Sequence, residues 1–444
     1  MDTNFQNLNL FSFLLKCYKE IDEADLSDIL LLNKPWNLTK FWRGYSFSFR
    51  ELVRFLTKND LIKEFNNKRF ISYLLKQIDQ AIYSFEEYDT LFSKNDDTVL
   101  QSDEYVLIIT PNNCIFKQTN KIFGAYGSGD DEEWLRKRRH FDPSKTCYKI
   151  GLENLNFVKK SNNFVIKQSF SVLPQVANDL FNNIVNVGFF PFVAVNADGE
   201  PLFTTKREFP YFEIFNHKEY VDTYLDYLEK AFKSNARIII LPEISIPTKD
   251  TTYITNVLMN DKIDVDKLIV AGSNWDNKTN TCYVFDDKGK LLLGQKKYNP
   301  YIDKFKNIKY FEKLNTPKPF IVNILNVKDF GTIGFPICSD LISSKYIESI
   351  YCECDVTNLF VPCMSISTDI YSSLPSLTSN YWISVFVCNA SVEKKKIIGF
   401  YSLPTKEEET RRAAYSKTIA GTIEKDGIVQ GVVKKINLSE IKKC

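Results

Sequence analysis

The sequence predicts an α/β fold with a mixed sheet, preceded by an additional, mainly helical region. Three observations predict this class. Apolar residues recur at helical spacing through residues 8–95. From about residue 183, short apolar runs typical of strands alternate with amphipathic helical segments. Several of these runs are joined as hairpins, so the pattern is not a simple strand–helix–strand repeat and the sheet should be mixed.

The composition is that of ordinary globular material. The chain has 444 residues, of which 44% are hydrophobic and 25% charged, and this length predicts two or three domains. The net charge of +2 gives no overall attraction to nucleic acid or to anionic membranes. The first residues lack the basic start of a signal peptide, and no run approaches the roughly 18 apolar residues of a membrane span. We therefore expect a cytoplasmic protein without a membrane or nucleic-acid partner.

We predict three regions along the chain. Residues 1–100 form a helical N-terminal region, residues 101–182 a mixed α/β connecting region, and residues 183–444 the main α/β domain. The connecting region contains a basic cluster at residues 134–140, directly after the acidic residues 130–133. We interpret this cluster as a solvated helix face and not as a nucleic-acid contact, because balanced charge runs are usually solvated surface.

The elements of the main domain follow from hydrophobic periodicity and turn signals. Residues 220–232 are amphipathic and predict a helix, and shorter helices are predicted at 251–259 and 343–350. A hairpin is predicted over residues 282–293, with its turn at 286–289. The other predicted strands are residues 185–195, 238–241, 268–273, 320–327, 331–337, 356–361, 381–388 and 427–433.

Three apolar runs end on residues with catalytic chemistry. They end on Glu243, on Lys297 and on Cys338. Strand ends that meet at one edge of a sheet can form a single site. A free thiol has a pKa near ~8.5 and needs activation at neutral pH. Glu243 can remove the thiol proton, and Lys297 favours both the thiolate and an oxyanion. The backbone N–H of Ser339 is predicted to be a second oxyanion donor.

Histidine and cysteine usage argues against several other kinds of site. The chain has two histidines, His140 and His217, which lie too far apart in sequence to suggest a His-based zinc site or a Ser–His triad. The ten cysteines are scattered and do not suggest a disulfide framework. We expect no metal and no cofactor.

The segments that carry these residues resemble motifs of the nitrilase (carbon–nitrogen hydrolase) superfamily. They are Leu241-Pro-Glu243, Gln295-Lys-Lys-Tyr-Asn-Pro300 and Gly334-Phe-Pro-Ile-Cys-Ser-Asp340, and the resemblance covers about residues 183–442. It implies a four-layer αββα sandwich, often paired into dimers through the helical layer.

The resemblance also implies a Glu–Lys–Cys triad. Glu243 matches the general base, Lys297 the oxyanion lysine and Cys338 the nucleophile. The superfamily places a proline three residues after the lysine, and Pro300 therefore selects Lys297 over Lys296.

The sequence departs from the superfamily pattern around this triad. Many members carry a second glutamate shortly after the lysine; the nearest candidate for a second carboxylate here is Asp303, with Glu312 further along. The Arg-Phe-Pro-Glu that often follows the nucleophile is absent. Cys363 and Ser365 are predicted to line the substrate pocket. The sequence therefore does not identify the substrate.

The predicted function is hydrolysis of a small amide or nitrile through a cysteine thioester, by a homodimer or higher oligomer. The sequence is also compatible with two alternatives. The first is an N-acyltransferase of the same superfamily, in which an amine replaces water. The second is a non-catalytic or regulatory module with the same fold in a multi-protein bacterial system, with residues 1–180 recruiting a protein partner.

Overall fold

The computed structural model describes most of the chain, in segments. These are residues 9–21, 46–93, 100–109, 111, 154–181, 184–192, 203–216, 221–247, 251–260, 266–341, 347–364, 374–379, 383–390, 397–407, 411–420 and 431–437. The chain divides into two compact units, residues 1–112 with 126–161 and residues 113–125 with 162–444. The basic cluster at residues 134–140 lies outside the described residues.

The first unit contains the predicted helical region. Its helices are α1 (Leu10–Lys19), α2 (Phe49–Lys58), α3 (Lys68–Ala81) and α4 (Glu86–Ser93), and its strands β1 (Tyr105–Ile109) and β2 (Leu155–Lys159) pair antiparallel. The buried carboxylate of Asp79 accepts hydrogen bonds from the backbone N–H groups of Asn154 and Leu155, at 2.8 and 2.7 Å. These bonds fix the start of β2 to α3. The prediction of an additional helical N-terminal region is confirmed.

The second unit is built on two large mixed sheets, of which the first has six strands. The strands are β4 (Ile184–Phe189), β7 (Ile238–Ile240), β8 (Leu268–Asp276), β9 (Thr279–Asp286), β10 (Leu291–Lys296) and β19 (Val432–Asn437). Their order across the sheet is β10-β9-β8-β7-β4-β19. Strands β4, β7 and β8 are parallel to one another, whereas β8, β9 and β10 are successively antiparallel.

The second large sheet has seven strands. They are β3 (Phe164–Ser171), β13 (Phe320–Val327), β14 (Gly331–Gly334), β15 (Asn358–Cys363), β16 (Ser384–Asn389), β17 (Ile397–Glu407) and β18 (Arg411–Ala420). Their order is β18-β17-β16-β15-β14-β13-β3. The three central strands β14, β15 and β16 run parallel and are almost completely buried. Continuous burial of this kind is expected for strands that are covered on both faces.

The layers pack as the sequence predicts. Strand β10 packs against β13, and β8 against β15, so the two sheets lie face to face. The helices of this unit include α5 (Pro174–Phe181), α6 (Val221–Lys233) and α7 (Thr252–Asn260). Helices α6 and α7 cover the six-stranded sheet through a shared apolar core. The predicted α/β sandwich is confirmed.

A π-helical turn, Ile347–Cys352, lies against the seven-stranded sheet at β14. A Cβ added at Gly334 would lie 2.5 Å from the Tyr351 ring of this turn, a distance that would force one of them to move. Glycine at this position therefore allows the turn to approach the strand that leads towards Cys338.

The unit also contains a smaller sheet of four strands. The strands are β5 (Phe203–Glu208), β6 (Tyr211–Asn216), β11 (Ile302–Phe305) and β12 (Ile308–Glu312), in the order β11-β12-β6-β5. Phe212 and Ile214 of β6 pack with Ile244 and Trp275 in a separate apolar cluster. This cluster places the end of β12 beside the segment that follows β7.

Several elements differ from their predictions. The strand predicted at 185–195 ends at Phe189, and the one predicted at 331–337 ends at Gly334. The helix predicted at 343–350 is described only from Ile347, as the π-helical turn. Strand β3 precedes residue 183, yet its eight residues pair with β13. The predicted domain boundary between residues 182 and 183 stays a prediction.

Candidate active site

Glu243 lies three residues beyond the end of β7. That strand consists of three isoleucines with no exposed surface, and Pro242 follows shortly after it. The Glu243 side chain is only 3% exposed. Its backbone N–H approaches the carbonyl oxygen of Cys363 at 3.4 Å, which links the end of β7 to the end of β15. Ile244 has a positive φ of 59°, so the chain turns sharply as soon as the carboxylate has been placed.

Lys297 lies directly after β10, and strand alternation determines which lysine points inward. Gln295 and Lys297 are buried, whereas Lys296 between them is exposed. The Lys297 backbone N–H donates to the carbonyl oxygen of Asn280 at 2.8 Å, which extends the ladder by one residue beyond the strand. Its ammonium is enclosed and lies 2.7 Å from Glu243 Oε1. The structure therefore brings Lys297, and not Lys296, to Glu243.

Glu312 is the second carboxylate of the site. It ends β12, is 2% exposed, and its Oε2 accepts a 2.6 Å hydrogen bond from Lys297 Nζ. The backbone N–H of Tyr301 and the indole N–H of Trp275 also donate to its carboxylate, at 2.9 and 3.2 Å. Asp303, the nearer candidate in sequence, pairs with Tyr310 in the β11–β12 hairpin, and its side chain lies outside the described residues.

Cys338 lies beyond β14, in a one-turn 3-10 segment that reaches Asp340. Its φ is +46°, a left-handed backbone that is uncommon for a residue with a side chain. Such strain persists only where the surroundings enforce it, and it is concentrated at functional sites. The thiol is 2% exposed, and its Sγ lies 3.4 Å from the Sγ of Cys363, whose carbonyl oxygen accepts from the Glu243 backbone N–H. The three residues of the predicted triad therefore meet.

Asp340 enforces this backbone geometry. Its carboxylate, which has no exposed surface, accepts hydrogen bonds from the N–H groups of Tyr298 and Asn299, the closest at 2.6 Å. It also accepts one from Ile337 at 3.2 Å. Burial raises the pKa of Asp340 to about 7, against the effect of these donors. Asp340 thus binds both Tyr298, which follows Lys297, and Ile337, which precedes Cys338.

Burial and charge set the protonation states of the catalytic residues. Burial raises the pKa of Glu243, the Lys297 ammonium lowers it, and the like charge of Glu312 raises it again, with a net upward shift. Contact with Cys363 and burial raise the pKa of the Cys338 thiol well above its usual value. Burial opposes the charge on Lys297, but the two carboxylates outweigh it and hold its pKa above the usual value. At neutral pH the site therefore contains a charged lysine and a neutral thiol.

Asn280 orients the general base. Its Nδ2 donates to Glu243 Oε1 at 2.8 Å, the oxygen that also accepts from Lys297. Asn280 is 1% exposed, and it lies in β9, which pairs with β10 across the ladder. From the sequence, no role is predicted for Asn280. Its position opposite the lysine in the hairpin is the signal that could have identified it.

Replacing Asn280 with leucine should lower kcat/KM about 10- to 100-fold, because a hydrogen bond to a charged group contributes roughly 1.5–3 kcal/mol. Steady-state kinetics on any accepted amide measures this loss. Asn274 is the matched control: it is similarly buried and donates to the Ile246 carbonyl oxygen at 2.9 Å, away from the carboxylates. If Asn274→Leu lowers kcat/KM as much as Asn280→Leu, the assigned role is wrong.

Two of the other predicted residues, Cys363 and Ser339, lie beside the nucleophile. Cys363 ends β15, and its Sγ is 3.4 Å from Cys338 Sγ. Ser339 follows the nucleophile, and its hydroxyl donates to the Asn299 carbonyl oxygen at 2.6 Å. The role of its backbone N–H stays a prediction. Ser365 lies outside the described residues. Within the described part of the chain, no group of three or more His, Cys, Asp or Glu residues is placed to hold a metal ion.

No protein-family model and no curated protein matches the sequence. Among solved structures, an amidase from Nesterenkonia sp. is similar, with a TM-score of 0.37 and 8% identity over 59% of this chain and 93% of the amidase. A mutant of that amidase in complex with butyramide gives 0.36 and 8% over the same shares. Another mutant, described as an amidase from the nitrilase superfamily, gives 0.36 and 9% over 59% and 94%.

Proposed function

We propose that this protein hydrolyses a carbon–nitrogen bond in a small amide or nitrile through a thioester on Cys338. The observation that carries this proposal is the buried ammonium of Lys297, which lies between the carboxylates of Glu243 and Glu312 at 2.7 and 2.6 Å, beside the thiol. Burying three charged groups together is costly and is weak evidence of stabilisation. Their convergence on a cysteine with a strained backbone is better explained by a catalytic role.

Glu243 acts as the general base in the first step. Its Oε1 accepts hydrogen bonds from Lys297 and Asn280, so we assign the transferred proton to Oε2. Because the thiol pKa is raised, Cys338 is protonated at rest and loses its proton as its sulfur attacks the amide carbon. The attack forms a sulfur–carbon bond and places negative charge on the former carbonyl oxygen.

Lys297 stabilises that developing charge. Its ammonium is held in place by two carboxylates, so it needs no reorganisation when the oxyanion forms. The backbone N–H of Ser339, which immediately follows the nucleophile, is the proposed second donor. Glu243 then returns its proton to the leaving nitrogen, the carbon–nitrogen bond breaks, and ammonia departs. A thioester on Cys338 remains.

Water completes the reaction in the second step. Glu243, again ionised, takes a proton from a water molecule as it attacks the thioester carbon. Collapse of the second tetrahedral intermediate breaks the sulfur–carbon bond, and the proton on Glu243 returns to the Cys338 sulfur. The products are a carboxylic acid and the restored thiol. An amine in place of water would give acyl transfer through the same residues.

A panel of small aliphatic amides and nitriles tests the proposal. Hydrolysis should release ammonia and a carboxylic acid from at least one member, as measured by coupled ammonia detection and by chromatography of the acid. Addition of amines to the same reactions identifies acyl transfer by the amide that would form. Absence of both products from every member would contradict the proposal.

Replacing Glu312 with glutamine should shift the pH profile in a defined direction. Glu243 must be ionised to act as a base, so activity falls as the pH drops through its raised pKa. Glu312 contributes to that raised pKa as a like charge, and its removal should move the acid limb of kcat/KM to lower pH. We also expect kcat to fall about 10- to 100-fold, because Lys297 loses one charged hydrogen-bond partner.

Glu213→Gln is the control for this experiment. Glu213 lies on the same small sheet, in a partly exposed ion pair with Lys313 at 2.6 Å. Its replacement should leave both kcat and the acid limb close to the wild-type values. An acid limb that stays in place, or moves to higher pH, in Glu312→Gln would contradict the assigned electrostatics.

Other parts of the functional prediction concern the surroundings of the protein. None of the helices in the described segments is long and apolar enough to cross a membrane. We propose that the protein acts in the cytoplasm as a homodimer or higher oligomer. A protein partner for residues 1–180 stays a prediction.

A further inference from the structure

The candidate active site contains a second thiol that amide hydrolysis does not use. Cys363 ends β15, and its Sγ lies 3.4 Å from the Sγ of Cys338. Both cysteines are free and buried, with exposed fractions of 0% and 2%. The proposed thioester pathway needs only the Cys338 sulfur. The neighbouring sulfur therefore calls for a different explanation.

The backbone holds both thiols in this arrangement. The carbonyl oxygen of Cys363 accepts hydrogen bonds from Ala390 at 2.9 Å and from Glu243 at 3.4 Å. The carbonyl oxygen of Cys338 accepts one from Leu341 at 3.0 Å, which closes the turn around the nucleophile. Their strands, β14 and β15, are paired parallel neighbours. The two thiols are therefore brought together by the backbone, because the segments that follow two adjacent strands are close. Their proximity does not depend on the conformation of a long, flexible side chain.

A sulfur–sulfur bond would require a small movement. The bond is about 2.05 Å long, so the two sulfurs would need to approach by only about 1.3 Å. Rotation of the cysteine side chains moves a sulfur over such distances without displacing the strand. Glu243, whose backbone N–H donates to the Cys363 carbonyl oxygen at 3.4 Å, supplies the base that thiol chemistry needs in this buried site.

We propose that Cys363 is a resolving thiol, which forms a reversible disulfide with Cys338 when a peroxide oxidises the nucleophile. This inference rests on the reactive Cys338 of the proposed function. Hydrogen peroxide is smaller than any amide, so a path that admits substrate to Cys338 also admits the oxidant. The disulfide blocks attack on a substrate, because the sulfur that would attack is already bonded.

The chemistry is balanced in two steps. In the first, the Cys338 sulfur attacks one peroxide oxygen: a sulfur–oxygen bond forms, the oxygen–oxygen bond breaks, and the thiol proton passes through Glu243 to the departing hydroxide. The products are a sulfenic acid and water. In the second, the Cys363 sulfur attacks the Cys338 sulfur, the sulfur–oxygen bond breaks, and the hydroxide takes the Cys363 proton. Overall, two thiols lose two electrons and one peroxide becomes two waters.

The resolving thiol changes the fate of the oxidised nucleophile. A sulfenic acid that meets no second thiol is oxidised further to a sulfinic acid, which ordinary reductants do not reverse. A disulfide is returned to two thiols by a dithiol reductant, which is oxidised in exchange. When Cys363 is present, the loss of the Cys338 nucleophile by oxidation is therefore reversible and not permanent.

The test uses the full chain, reduced and then freed of reductant, treated with hydrogen peroxide and analysed by mass spectrometry without reduction. The wild type should lose about 2 Da, the mass of two hydrogen atoms, and yield a peptide pair that joins Cys338 to Cys363. Dithiothreitol should restore the original mass. Cys363→Ser and Cys363→Ala should instead gain about 32 Da on Cys338, which dithiothreitol does not remove.

Cys388→Ser is the matched control. Cys388 is buried in β16, opposite Pro362 in the ladder, and directly beside the Cys363 strand end. This variant should form the Cys338–Cys363 link as the wild type does. The inference is overturned if wild-type Cys338 proceeds to the sulfinic acid, links to another cysteine, or stays unoxidised. It is also overturned if the Cys363 variants keep the 2 Da loss.

These outcomes are separate from those that test hydrolysis. The linked peptide is measured by mass, so it can be found in a protein that releases no ammonia from any amide. In that case the resolving role stands and the proposed hydrolysis fails. Ammonia release together with irreversible peroxide damage in the wild type would instead support hydrolysis and overturn the resolving role.

Discussion

Replacing Cys338 with alanine should abolish amide turnover, with a loss on the order of 10⁶-fold in kcat, as seen when the nucleophile is removed from other covalent catalytic sets. Glu243 and Lys297 would remain in place, but no sulfur would be left to form the thioester. Ammonia release under substrate saturation measures the effect. Thermal unfolding of the variant establishes that the fold is intact.

Cys354→Ala is the control for this loss. Cys354 is equally buried, and it lies after the π-helical turn and not beside Glu243 and Glu312. Its removal should leave kcat within a few-fold of wild type while costing stability through a small cavity. If Cys338→Ala retains more than a trace of activity, the reaction does not proceed through that sulfur.

Replacing Lys297 with methionine should lower kcat at least 10²- to 10³-fold, the usual effect of losing one oxyanion donor. The true loss should reach or exceed that range, since two buried carboxylates would also lose their cation. The pKa of Glu243 should rise further, because the Lys297 charge lowers it in the wild type. The acid limb of the pH profile should therefore move to higher pH, which steady-state kinetics over a pH series would show.

Lys296→Met is the control in the adjacent position. Lys296 is exposed and points to the opposite side of the strand, so its replacement should change kcat little. If Lys296→Met is inactive and Lys297→Met is active, the inward lysine has been misassigned. Activity in both variants would exclude a lysine as the oxyanion donor.

Much of the candidate site could be predicted because its residues lie at or shortly after the ends of apolar runs in the sequence. Glu243 and Cys338 each follow such a run, and Lys297 ends another. Strand alternation selects Lys297 over Lys296, because adjacent strand residues point to opposite faces. Hydrophobic runs are readable from sequence because burial imposes them over several consecutive residues. The helical N-terminal region was predictable for the same reason.

Glu312 could not be selected in the same way. It ends a five-residue strand, Ile308–Glu312, whose other members are mainly exposed. No long apolar run therefore precedes it to indicate a buried position. Its place beside Lys297 depends on the parallel pairing of β12 with β6, where Glu312 lies opposite Phe212, far earlier in the chain. Asp303 was the predicted candidate because it lies nearer to Lys297 in the sequence. The pairing of β12 with β6 joins residues far apart in the chain, so no local sequence pattern indicates it.

The edges of the seven-stranded sheet were missed for a related reason. Strand β3 mixes polar and apolar residues in half-buried positions, and the other edge strand, β18, carries many polar side chains. Edge strands are covered on fewer sides, so their hydrophobic pattern is weaker. Cys363 was predicted only as a pocket residue, since its contact with Cys338 arises from the pairing of β14 with β15.

Capture of the thioester tests the catalytic role of Cys338 most directly. The protein is mixed with each active amide, quenched in acid within the time of one turnover, and analysed by intact-protein and peptide mass spectrometry. The proposed mechanism predicts a mass increase equal to the acyl group of that amide, located on Cys338 and absent from Cys338→Ala. An acyl group found on another residue, or ammonia release with no acyl-enzyme under any quench time, would contradict it.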